Sequence, residues 1–214
     1  MGTQTLFDII GSTMVFGVLL LVTLQLNDSD TENLQIYQGD LVVQENLVEL
    51  TSLLETDFRK IGYCANPANF PDPTQSIILA DSNRIKFVTD LPTKANPYGD
   101  GIMDTLYYYL GPTSELTSTP NPNDRYLYRA VNSQAVHGAN LGVTTFSLIY
   151  YNALDSLMTF PITTPGAIKT MQITIVVQDL AATSLPAFVG SFEQQYSSAF
   201  WRQIRLVSRN LSNR

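Results

Sequence analysis

The sequence predicts an α+β protein: one long N-terminal α-helix followed by an antiparallel β-sheet head. Three observations carry that prediction. Ile9 to Leu26 is eighteen residues without a charge. From Asn33 to Ile61 apolar residues return at helical spacing, and no proline occurs before Pro67. Beyond that point the pattern changes to short β-prone runs separated by Pro-, Gly- and Asp-rich stretches. Helix and strands are segregated along the chain, which is the α+β arrangement.

The first element is the apolar run Leu6 to Leu26, LFDIIGSTMVFGVLLLVTLQL. At about 1.5 Å per residue a helix of this length covers roughly 30 Å, the hydrocarbon thickness of a bilayer. The first basic residue of the chain is Arg59, so no basic region precedes the run, and no small-x-small site follows it. The run therefore reads as a retained anchor ahead of the alternative, a buried core helix. Neither flank carries nearby Lys or Arg, so charge says nothing of its orientation.

Asn27 to Glu32 is polar and would suit a loop, with Asp28, Ser29 or Asp30 as a new cap. A helix running straight through is the other reading. After it come Leu34, Tyr37, Leu41 and Val48, and then Leu47, Leu50, Leu54, Phe58 and Ile61. The second set forms a stripe that needs covering, and the sheet is the partner available for it. Gly39 is the weak point of the helix, costing about 1 kcal/mol relative to Ala. The expected divisions are residues 1–27 as membrane or filament-core helix, 28–62 as its continuation packed on the head, and 63–214 as the head.

In the head, the prolines of residues 62–75 end the helix. Ser76–Ala80 and Arg84–Thr89 flank Asp81-Ser82-Asn83 and read as a hairpin. Thr105–Leu110 (TLYYYL) is an aromatic strand, and Arg125–Ala130 a short one. Val143–Asn152 and Ala167–Asp179 are the longest strand candidates, the second with Met171, Ile173, Ile175 and Val177 on one face. Ala181–Gln195 is mixed. The tail Ser198–Arg209 suits an amphipathic helix or a strand, and a strand is expected.

Charge is unevenly divided. Residues 1–58 hold nine acidic residues and no basic one, whereas residues 59–214 hold ten acidic and twelve basic, so the net −7 belongs to the helix. No basic stripe exists, which argues against a nucleic-acid partner. Cys64, the single cysteine, excludes an internal disulfide and reads as a small buried apolar residue. The single histidine, His137, reads as a loop residue. No Cys/His cluster, phosphate loop or nucleophile elbow occurs, so an enzyme is not expected. Asp90, Asp100 and Asp104 are a candidate calcium set, although their spacing is not that of an EF-hand and a solvated Asp-Gly turn explains them more simply. Seven strand tyrosines suggest a binding surface or, more simply, core filling.

Several residue groups together resemble the type IV pilin-like superfamily, and the head resembles PilW-type minor pilins and J-type minor pseudopilins of type II secretion. They are Leu53–Tyr63 (LLETDFRKIGY), Ile85-Lys86-Phe87, the turn Asp100–Asp104 leading into Tyr107-Tyr108-Tyr109, Leu127-Tyr128-Arg129, Phe146–Tyr151 and Arg205–Asn210. Their order along nearly the whole chain carries the likeness. The chain departs from the family at its front. The family has a basic leader, Gly, Phe and a Glu at the fifth mature position; here Gly2 precedes Thr3, and Asp8 stands near the place of that Glu.

The resemblance implies a structural subunit. It would anchor in the inner membrane and then enter an envelope or extracellular filament, with copies of itself or other pilin-like subunits as partners. Leu19, Leu20 and Leu21 would lie in the helical bundle. Asp8 would pair with a neighbouring subunit's N-terminal amine, or else sit at the headgroup level as an ordinary interfacial charge. Gly11 and Gly17, six residues apart and so not a GxxxG motif, would let helices approach or, more simply, reflect the ordinary frequency of glycine in membrane helices. The alternative function is a single-pass anchored module that captures a partner or secreted substrate.

Overall fold

A computed structural model describes residues 2–117, 119, 121–132, 134, 137–178, 199–207 and 209–212. The chain divides into two compact units, Met1–Leu41 and Val42–Arg214.

Helix α1 spans Gly2–Arg59. The polar stretch 27–32 does not interrupt it. That stretch contains no Pro or Gly, and the Thr31 hydroxyl donates to the Asn27 carbonyl at 2.8 Å instead of competing for a turn. Gly39 is likewise absorbed within the helix. The helix ends where Gly62 takes a φ of +72°, a left-handed conformation suited to glycine at a helix C-terminus.

Within the second unit, two antiparallel sheets follow. The five-stranded sheet has the order β1 (Ile77–Ala80), β2 (Arg84–Thr89), β3 (Asp104–Leu110), β4 (Leu127–Val131) and β5 (His137–Ala139). The three-stranded sheet has the order β6 (Val143–Tyr151), β7 (Thr170–Gln178) and β8 (Ala199–Val207). A four-residue helix, α2 (Arg209–Ser212), closes the described chain. Backbone bonds join the sheets: Leu148 N donates to the Ser82 carbonyl at 2.8 Å, and Arg125 N to the Val143 carbonyl at 3.0 Å.

Alternation sets the core. In β7, Met171, Ile173, Ile175 and Val177 are fully buried, and the residues between them are partly exposed. In β2, Ile85 and Phe87 point inward. Against these strands the last turns of α1 contribute Val43, Leu47, Leu50, Leu54 and Phe58, all in one buried cluster with both sheets. Their spacing of three and four residues is the covered stripe. The Phe58 ring lies 5.3 Å from Phe87 and 5.6 Å from Tyr108, in edge and tilted contacts. Val48, between these positions, faces away and is exposed.

Several boundaries differ from the sequence reading, each for a local reason. The strand expected from Ala167 starts at Thr170, because Pro165–Ala167 forms a 3-10 turn capped by a bond from Ile168 N to the Pro165 carbonyl. The strand expected from Arg125 starts at Leu127, because the Tyr126 carbonyl accepts from Gly111 N outside the ladder. His137 is not in a loop but begins β5, paired with Arg129. The tail is a strand, as expected. The mixed stretch Ala181–Gln195 lies outside the described residues.

Candidate functional site

The first unit presents the most unusual surface. Gly2–Thr31 is long and apolar enough to cross a membrane, and none of its most apolar window is buried. Phe7, Ile9, Met14, Phe16, Leu19, Leu20, Leu21 and Leu24 are all exposed. Apolar side chains occupy every side of the helix, so one sheet could not cover them. Several of its hydroxyls are satisfied locally. Ser12 and Thr13 donate to the Ile9 carbonyl at 2.9 Å, and Thr23 donates to the Leu19 carbonyl at 2.8 Å. These groups therefore do not oppose an apolar environment as free hydroxyls do. At Gly11 and Gly17 nothing lies within 4 Å of where a Cβ would be, so the surface there is a shallow notch open to an outside partner. Asp8 is exposed and is the one formal side-chain charge between Gly2 and Asn27.

The second unit holds a polar triad of two buried residues, Asp57 and Tyr108, and the half-buried Arg129. Asp57, on the last turn of α1, is 4% exposed. Its Oδ2 accepts from the Arg129 Nε at 2.7 Å and from the Tyr108 hydroxyl in a short bond. The Arg129 Nε also reaches the Tyr108 oxygen at 2.9 Å. Burial first, and then the Asp57 charge, push the Tyr108 hydroxyl well above the ordinary tyrosine range, so it remains a protonated donor. The triad ties α1 to β3 and β4. Sequence reading took Asp57 and Arg129 only as parts of a family pattern; their pairing across seventy-two residues has no local signal.

The candidate calcium residues have other employment. Asp90 is fully buried; its Oδ2 accepts from Ala65 N and Gly101 N at 2.9 Å, and its Oδ1 from Asp100 N at 3.0 Å. Asp104 accepts from Leu91 N at 3.1 Å and from the Asn132 amide at 2.7 Å. The Asp100 Oδ1 accepts from Ile102 N at 2.9 Å. Among the described residues, no group of three His, Cys, Asp or Glu side chains is placed to hold a metal ion. In the structure the three carboxylates accept amide hydrogens and brace the loop between β2 and β3. Gly99, at φ +110°, closes that loop where a Cβ would collide with the Asp90 carboxylate. Cys64 is buried beside it, its thiol 3.1 Å from the Asn66 carbonyl.

The tyrosines divide by strand parity. Tyr108 and Tyr150 are core residues. Tyr107, Tyr109, Tyr126 and Tyr128 lie half-buried on the other face of the five-stranded sheet, with successive ring centroids 4.7, 4.8 and 5.8 Å apart.

No family model matches the chain, and no curated protein does. Among solved structures it is similar to a type IV-like pilin from Thermus thermophilus, at a TM-score of 0.41 and 10% identity, covering 78% of this chain and 97% of that one. A likeness of that degree carries no functional weight beside the chain's own features.

Proposed function

We propose that this chain is a pilin-like structural subunit that enters a membrane through its N-terminal helix and then assembles by that helix into a type IV filament. The observation that carries the proposal is the contrast within α1: its last turns are buried by the chain's own sheets, whereas residues 2–31 carry exposed apolar side chains on every side. Lipid satisfies such a helix first, and a bundle of like helices replaces the lipid in the polymer. The ordered family resemblance of the head favours a minor subunit of the PilW or J type over a major one. Leu19, Leu20 and Leu21 supply bundle contact, Gly11 and Gly17 supply close approach, and Asp8 pairs with the N-terminal amine of a neighbour.

The test is paired cysteine crosslinking at positions 19–21 in membranes, together with sedimentation of sheared filaments. The proposal expects crosslinked ladders and pelleted polymer. Quantitative extraction by detergent as one uncrosslinked chain refutes it and leaves the anchored binding module in its place. Asp8→Ala is expected to lower filament incorporation several-fold while the head's melting curve stays unchanged, because Asp8 makes no contribution to the head's core.

A further inference from the structure

The tyrosine row is not explained by assembly through α1. We propose that it is the platform of a carbohydrate-binding site for an uncharged, hydroxyl-rich glycan. The platform is built rather than incidental. Tyr128 lies over bare backbone on two sides: a Cβ at Gly111 or at Gly138 would come within 2.8 or 2.7 Å of its ring. The Tyr128 hydroxyl is held by Glu115 at 2.7 Å. Beside the row is a hollow of about 320 Å³, lined by Asp81, Asn83, Arg84, Tyr107, Tyr109 and Leu110. That volume lies at the low end of small-ligand sites, roughly 300–1,000 Å³.

The lining chooses the ligand class. Tyr107 and Tyr109 stack on one another, and Tyr109 stacks on Tyr128, so ring faces are largely used up and edges with phenolic oxygens remain. Each hydroxyl both donates and accepts, as sugar hydroxyls do. Asn83 and the outer nitrogens of Arg84 add planar groups with two hydrogen-bonding atoms apiece, suited to neighbouring hydroxyls on a pyranose ring, while Asp81 is engaged, its Oδ1 accepting from Ser82 N at 2.8 Å. Charge in the hollow closes on itself, because Arg84 Nε already bonds to Asp81 Oδ2 at 2.9 Å. An anionic ligand would have to compete with that carboxylate, while a neutral one leaves the pair intact. Lys86, opposite Tyr107 in the strand register, adds one cation at the rim. The hydrogen bond to Glu115, and then burial, push the Tyr128 hydroxyl up to about 12, which keeps it a donor.

The experiment uses the full chain in a sugar-free detergent, titrated calorimetrically with cellohexaose, maltohexaose, mannohexaose and chitohexaose, and with a heparin hexasaccharide as the charged probe. Saturable binding of at least one neutral hexasaccharide is expected. Asn83→Ala and Tyr109→Phe should each weaken it by about tenfold, a lost hydrogen bond's worth, with the head's melting temperature retained. The exposed Asn83 variant guards against a folding defect in the tyrosine variant. The proposal is overturned if no neutral hexasaccharide saturates, if both variants bind unchanged, or if heparin is preferred. Filament assembly should be unaffected by either variant.

Discussion

Phe16 and Phe58 lie on the same helix and meet opposite conditions: one is 67% exposed, the other 0%. The stretches around them differ in pattern rather than in greasiness. Around Phe58 the apolar residues form a stripe, with Ser52, Glu55 and Arg59 on the remaining sides, and a sheet covers that stripe. Around Phe16 apolar residues go all the way round. A stripe calls for one partner surface; a cylinder calls for a solvent of its own kind. The break in pattern, not in helix, is what separates a segment covered by its own chain from one whose apolar side chains the chain leaves exposed.

The sharpest way to break that comparison is to truncate both rings. Phe58→Ala should cost the head about 3–5 kcal/mol in urea unfolding, as a fully buried aromatic does. Phe16→Ala should leave that curve in place and weaken self-association only. Equal effects in either assay would erase the distinction. Next in size is Asp57→Ala, which strands Arg129 without its carboxylate and should destabilise the head by about 3 kcal/mol. Adding Arg129→Met should recover part of the loss, and a double-mutant cycle measures how much. Leu20→Asp works on the other side of the comparison. It should oppose membrane insertion by about 2.5–3.5 kcal/mol, read by glycosylation or protease mapping, with no change in head melting.

The smallest expected effect is alkaline. Burial raises the hydroxyls of both Tyr108 and Tyr150 above the ordinary range. The folded state therefore holds these protons more tightly than the unfolded chain. The associated stability is complete below the unfolded value of about 10 and is lost as pH rises beyond it. Urea midpoints should decline above about pH 10, and Tyr150→Phe should make the decline shallower.

Much of this was legible in residue order. The covered stripe Leu47, Leu50, Leu54, Phe58 and Ile61, the hairpin at Asp81–Asn83 and the alternation in β7 all follow local periodicity, and the structure reproduces them. Short-range signals failed where a distant group decides. His137-Gly138-Ala139 has no strand propensity of its own; it is a strand because β4 offers a ladder and Gly138 leaves room for Tyr126 and Tyr128. The bracing role of Asp90 was hidden for the same reason: spacing alone does not reveal that its carboxylate accepts from the amides of residues 65, 100 and 101. The tyrosine row needed strand register before four of the side chains could be seen as neighbours.

Asp90 has one more consequence. A single carboxylate fastens residue 65, just past the helix, to residues 100 and 101, at the far end of a long irregular excursion. Removing it would unlace both places together, so in Asp90→Ala the amides of residues 65, 100 and 101 should gain hydrogen exchange in step, two distant stitches drawn by one thread.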